Sequence, residues 1–196
     1  MGESQLPNDG TRGPWGDPDR HLPLDALERG LAALAPPKDV GRLTLIVSRR
    51  EDGRRDTPER LALTAECGVP GDAWQRNTPE KIDAQITVMR DDVAQLIANG
   101  QPLSLFGDNL LIDLDLSVEN LPAGTRLRLG GAELEVTPEP HTGCRKFRQR
   151  FGADGLRFTA TKANRPLRLR GIYVKVVGDG EIAVGDSVRV LRRGCG

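Results

Sequence analysis

Apolar positions change period several times along the chain, and each change marks an element. Leu24, Leu27, Leu31 and Leu34 recur at helical spacing, with Pro23 where a first turn tolerates it and Pro36-Pro37 as a stop. This predicts one amphipathic helix over 23–35 whose leucine face docks on a larger body. Residues 43–47 and 85–89 are apolar-rich runs of strand length. Residues 90–98 place Val93, Leu96 and Ile97 on one helical face, and Asn99-Gly100 ends that helix. Strict alternation follows: Leu110, Ile112, Leu114 and Leu116 point one way, Asp113 and Asp115 the other. Leu127 and Leu129 precede Gly130-Gly131, and Leu134 and Val136 follow, as in a tight hairpin. Runs at 172–177, 181–184 and 187–191, with a turn at 178–180, complete the strands. The pattern predicts a mainly β chain with short helices (α+β), a β-barrel or curved sheet with helices at its ends.

The chain divides into three parts on this reading. Residues 1–20 hold three prolines and four glycines without apolar period, and read as a disordered tail. Residues 21–40 carry the docking helix, and 41–193 form the body. At 196 residues, two complete cores are not expected. The apolar share is 37% and no run approaches the ~20 residues of a spanning helix, so no membrane role is expected. Residues 1–20 do not read as a signal peptide. The cysteines are Cys67, Cys144 and Cys195, an odd number with no C-x-x-C pair. A disulfide framework or cysteine-rich zinc module is therefore not expected, and a reducing, cytoplasmic setting is.

Charge alters the picture. Bases and acids balance at 28 each, but locally they separate. Residues 101–140 hold seven acids and two bases, whereas 144–175 hold ten bases and one acid. Most of these side chains read as solvated faces; the sharper reading is a local anion site, because the basic stretch opens at a cysteine. In 138–147, Pro138 and Pro140 force an extended entry. Thr142 can cap a short helix over 145–151, with Phe147 and Phe151 on one face and Cys144 in its first turn. The helix start and the neighbouring Arg145 and Lys146 favour thiolate, the form that serves as nucleophile, sulfur acceptor or soft-metal ligand. His141 either shuttles a proton or hydrogen-bonds the loop. The bland alternative for Cys144 is a small buried hydrophobe. Cys67 reads as structural and Cys195 as exposed. A zinc site from His141, Cys144 and distant partners has little support with two histidines in all. No P-loop, dinucleotide fingerprint or serine-nucleophile motif is present.

Several short motifs in order resemble the MOSC domain, named for the C-terminal part of molybdenum cofactor sulfurases. They are Gly71-Asp72, Gly107-Asp108-Asn109-Leu110, 121–127, 135–137, His141-Thr142-Gly143-Cys144, 169–173 and Gly185-Asp186. The resemblance covers about 41–193 and implies a MOSC-like β-barrel. It also implies binding of a molybdopterin-type molybdenum cofactor, with Cys144 as sulfur carrier or molybdenum ligand. Asn109 and Arg170 map onto the family's motifs near the pocket; Thr142, Lys146 and Arg168 join them as candidate cofactor contacts, and His141 joins Cys144 as candidate catalytic residue. Some relatives reduce N-hydroxylated compounds. Many carry an Arg-His pair where Ala73-Trp74 stands here, so any contact made there must be lost or replaced. The sulfurase's pyridoxal phosphate domain does not fit in this length, so a sulfur donor or redox partner is implied. Two other readings remain: a nucleic-acid or nucleotide-binding barrel using 144–175, and a non-catalytic partner-binding domain.

Overall fold

The structure is a computed structural model that describes residues 14–195. Its helices are α1 (Leu24–Ala32), α2 (Ala73–Asn77), α3 (Asp91–Ala98) and α4 (Arg145–Ala160). Its strands are β1 (Val40–Ile46), β2 (Ser48–Arg49), β3 (Arg55–Asp56), β4 (Arg60–Leu63), β5 (Ile86–Arg90), β6 (Leu110–Ile112), β7 (Arg126–Leu129), β8 (Ala132–Val136), β9 (Ile172–Gly178), β10 (Gly180–Ala183) and β11 (Ser187–Arg192). Seven of them close a barrel in the order β1-β11-β7-β8-β9-β5-β6. Only β5 and β6 run parallel, with Val88 opposite Leu110. A parallel pair needs a crossover, and α3 supplies it.

That crossover explains the two kinds of strand pattern. β7, β8 and β9 alternate buried with exposed or half-buried positions, because one face meets the barrel interior and the other meets solvent. β5 and β6 are buried throughout. Ile86, Val88, Leu110 and Ile112 enter the barrel core, whereas Met89 and Leu111 enter a second core outside it. The second core also takes Leu27 of α1, Val93 and Ile97 of α3, and Phe147, Phe151 and Phe158 of α4. Leu24, Leu31 and Leu34 pack partly buried against the same core.

Two local expectations change, and one open point closes. The 110–116 alternation holds in burial, since Leu114 and Leu116 join the barrel core, but the ladder ends at Ile112. Beyond it, Asp113 and Asp115 give their N–H groups to the Arg42 and Pro37 carbonyls. The sequence leaves the partner of the 181–184 run open; β10 leaves the barrel after the turn and pairs with β4. The proposed tail, 1–20, lies outside the described residues up to 13. Its remainder, 14–20, is held against the body: Asp17 N–H donates to Gln101 Oε1 at 2.7 Å and Pro14 O accepts from Arg150 Nε at 3.0 Å. Among the described residues no helix is long and apolar enough to cross a membrane.

α4 is broken at Gly152 (φ 81°, ψ 171°). The left-handed φ re-aims the second half so that Phe158 reaches the same core as Phe147 and Phe151. A Cβ here would also sit 2.9 Å from His21 Nδ1. Gly152→Ala is expected to lower stability by about 1 kcal/mol or more in urea melts; an unchanged midpoint would show that the break is dispensable.

Candidate functional site

A cleft of about 530 Å³ opens where the β2–β3 hairpin, α2, the 106–108 turn and the start of α4 converge. Each wall has a sequence reason. Arg49-Arg50-Glu51-Asp52-Gly53-Arg54-Arg55 is a turn flanked by two arginine pairs, and an Asp-Gly turn returns the chain as a hairpin. α2 begins at Asp72, whose carboxylate accepts from Trp74 N–H at 3.1 Å. α4 begins at Cys144, which is itself the N-cap and makes no side-chain cap bond. The cap expected at Thr142 is therefore displaced by two residues. The prolines carry the strand-like entry further than a Thr142 cap would require.

The cleft gathers seven cations: Arg49, Arg50, Arg55 and Arg76 from the hairpin and α2, and Lys146, Arg150 and Arg170 from α4 and the approach to β9. Only two carboxylates, Glu51 and Asp108, line it. Arg49 is pinned from behind by Asp72, 1% exposed, through bonds to both carboxylate oxygens at 3.0 and 3.1 Å from Nε. Burial pushes the Asp72 pKa up, but Arg49 outweighs it, and the carboxyl sits below its usual range. Arg170 donates Nη1–H to Asp108 Oδ2 at 2.7 Å and lies 5.0 Å above the Phe147 ring. Arg50 bonds Asp56 at 2.6 Å.

Among the described residues Arg55 and Arg150, like the exposed Arg76, pair with no carboxylate. Arg55 reaches the Gly53 carbonyl at 3.2 Å, and its buried Nε lacks a partner among the described residues. Burial, then the charges of Arg150 and Arg49, push its pKa down to about 10, so it stays charged at neutral pH. Arg150 gives its N–H groups to the Pro14 and Leu105 carbonyls, both at 3.0 Å. Burial lowers its pKa, and among its neighbours Cys144 acts most strongly in the other direction. Guanidiniums held by carbonyls alone retain unneutralised charge, which an anionic ligand would meet.

The predicted site residues divide. Cys144, His141, Thr142, Lys146 and Arg170 line the cleft together, and Cys144 is exposed rather than a buried hydrophobe. His141 is buried: its Nδ1 lies 3.6 Å from Asp108 Oδ1, neither atom has a hydrogen-bond partner, and its ring leans on Tyr173 at 4.6 Å. Burial and the Arg170 charge outweigh Asp108 and push the His141 pKa from 6.5 to about 3, so the ring is neutral. Asn109 does not line the cleft. It is fully buried and its amide is committed: Oδ1 accepts from Thr87 N–H and Oγ1–H at 3.1 and 2.9 Å, and Nδ2 donates to Val47 O at 3.2 Å. Arg49 Nη2 also donates to that Oδ1, at 3.3 Å, so Asn109 helps hold a cleft cation. Arg168 faces a separate cavity behind the 138–143 strap. Trp74 turns inward, 4% exposed, and donates Nε1–H to Lys81 O at 2.9 Å. Ala73 lines the cleft, and Arg76, one turn later in α2, brings a cation to it.

Sequence reasoning missed Arg49, Arg50, Arg55, Asp108 and Arg150 as site residues. The doubled arginines around Asp52-Gly53 were a usable signal. The basic stretch 144–175 is distributed: Arg150 and Arg170 enter the cleft, Arg168 donates to Leu121 O at 2.6 Å, and Lys175 pairs with Asp83 and Glu135.

A MOSC domain family profile matches residues 72–189. No curated protein matches the sequence. Among solved structures, the YuaD protein of Bacillus subtilis is similar at 17% identity and a TM-score of 0.57, over 77% of this chain and 95% of that one. YiiM from Escherichia coli is similar at 20% identity and 0.54, over 79% and 72%. YiiM from Geobacillus stearothermophilus is similar at 19% and 0.52, over 80% and 77%. These likenesses bear on the fold, which they share.

Two outcomes follow from the buried charges. Between pH 6.5 and about 3 the unfolded chain binds a proton that folded His141 refuses, so His141 makes stability fall as pH falls through that window. Ring ¹⁵N shifts of His141 are expected to show neutral imidazole at pH 5; an imidazolium there would overturn the assignment. Asp72 is depressed in the folded state, so the stability it adds is present above its unfolded value and lost as pH falls through its folded one. Asp72→Asn is expected to be less stable than wild type at neutral pH, and urea midpoints on acidification below about pH 4 should show the difference shrinking.

Proposed function

The chain belongs to the MOSC domain family, and from that premise we propose that its basic cleft binds a pterin-type molybdenum cofactor, with Cys144 as metal ligand or sulfur carrier. The family is associated with binding of the molybdenum cofactor. The observation that carries the reading is a half-buried guanidinium, Arg55, and a buried one, Arg150, left without carboxylates among the described residues beside an exposed thiol.

The donor set suits this group. Among the described residues no cluster of three His, Cys, Asp or Glu could cage a bare ion. A metal that arrives already held by its own organic ligand asks the protein for one soft donor and an anion cradle. Arg55 and Arg150 would take the phosphate end through charge-assisted bonds, with Lys146 at the rim. Cys144 would present its exposed sulfur from the N-cap of α4. When bound, the cofactor supplies two-electron chemistry at a single metal. His141 would stand beside it as a neutral ring that can hydrogen-bond a ligand without carrying charge, with Asp108 Oδ1 beside its Nδ1. Asp72 and Asn109 act through Arg49, holding it at the wall. Turnover, whether sulfur transfer or reduction of an N-hydroxylated compound, would need a sulfur or electron donor from a partner.

Protein purified from a host that makes the cofactor is expected to carry molybdenum and pterin in near-equal amounts. Arg55→Gln should reduce pterin content about tenfold or more, since a charge-assisted pair is lost. Cys144→Ser should retain pterin and lose the metal–thiolate absorption and any activity. Metal and pterin at background in the wild type would remove the reading, and full activity in Cys144→Ser would remove the cysteine from it.

A further inference from the structure

The second cavity, about 440 Å³, lies behind the 138–143 strap, between the end of α4, the 165–171 turn and the start of β9. It is of small-molecule size. Its apolar wall includes Pro138, Pro140 and Ile172. Three guanidiniums, Arg165, Arg168 and Arg170, line it against a single carboxylate, Glu139. All three have spare capacity among the described residues: the exposed Arg165 donates to the Ala160 carbonyl at 3.4 Å. Arg168 donates to the Leu121 carbonyl and pairs with no carboxylate; burial lowers its pKa. Its backbone is left-handed (φ 49°), a conformation that a β-carbon makes costly and that gathers at binding sites. Arg170 is 8% exposed; its Nη1 bonds Asp108, and its buried Nε has no partner.

We propose that this cavity is a binding site for a small organic acid, with a flat apolar body against Pro138, Pro140 and Ile172 and a carboxylate on the Arg168 guanidinium. The planar fork of a guanidinium matches a carboxylate in two parallel bonds. The proline and isoleucine wall excludes a ligand that is charge alone, which distinguishes this cavity from the cleft. The two spaces share His141, Thr142 and Arg170 as a common partition. Gly171 keeps that partition thin: its φ is 106°, and a Cβ would overlap the Val88 carbonyl and press on His141 Nδ1 at 3.1 Å. An acid seated here lies one strap away from Cys144. The assignment holds whatever occupies the cleft.

The test uses the full chain and 2-naphthoate as probe, with binding followed by calorimetry and ligand-observed NMR. Saturable binding is expected, with 2-naphthol, the uncharged analogue, weaker by about tenfold or more. Ala160→Trp fills the cavity from an exposed position at the end of α4 and should weaken naphthoate by a similar factor. Arg168→Gln should do the same; if that variant does not fold, the Ala160→Trp and naphthol comparisons still decide. Arg55→Gln, which disables the cleft, should leave naphthoate binding in place, and inorganic phosphate should not displace it. No saturation by about 10 mM, equal affinity for naphthol, indifference to Ala160→Trp, or displacement by phosphate would each overturn the proposal.

Discussion

Like charges crowded into a half-dry space repel, and this site depends on how that repulsion is managed. Two buried carboxylates do most of it. Asp72 binds Arg49 from behind and Asp108 binds Arg170 from within, each as a short charge-assisted pair. Both acids are about 1% exposed, so their fields are poorly screened. They neutralise two guanidiniums, whereas among the described residues Arg55, Arg76 and Arg150 are held by carbonyls only. The residual field is positive and fixed before any ligand arrives, which is the condition for preorganised binding of an anion. Burial first, and then the charge of Arg170, keep His141 uncharged.

The architecture holds these groups in place from independent directions. The barrel supplies Thr87 and the Asn109 clamp, the crossover supplies Asp108, and the second core anchors α4 through Phe147 and Phe151. Phe106 stacks on Phe151 at 4.0 Å, so the 106–108 turn packs directly on α4. The segment before α1 completes the frame. Pro14 O accepts from Arg150, and the Arg150 carbonyl receives His21 and Gln101. A cation of the cleft is thus positioned by chain that lies outside the family match at 72–189.

What the sequence disclosed depended on how local each signal was. The docking helix, the Gly130-Gly131 hairpin and the β5–α3 unit were legible because period and turn residues act within a few positions. Cys144, His141 and Arg170, singled out from short local motifs, lie along one cleft. The barrel itself was expected, but the strand order that closes it was not legible, since the β1 pairing with both β11 and β6 joins segments far apart in the chain. Asn109 illustrates the harder failure. A polar residue in a pocket motif reads as a ligand contact, yet its amide is spent on Thr87 and Val47, and its effect on the site passes through Arg49. Arg55 and Arg150 show the reverse: ordinary basic residues by sequence, they become unusual only when burial removes water and no acid replaces it.

The position of β1 carries one last consequence. It lies before residue 72, yet it is the stave that joins β11 to β6. A fragment trimmed to the matched stretch would lose that stave together with the whole β2–β3 hairpin. Two neighbouring strands would then expose unpaired amides and carbonyls along an open seam, the geometry that invites sheet-to-sheet association between chains. Homology limits and folding limits therefore do not coincide in this protein, and excision along the former would yield a sticky half-shell.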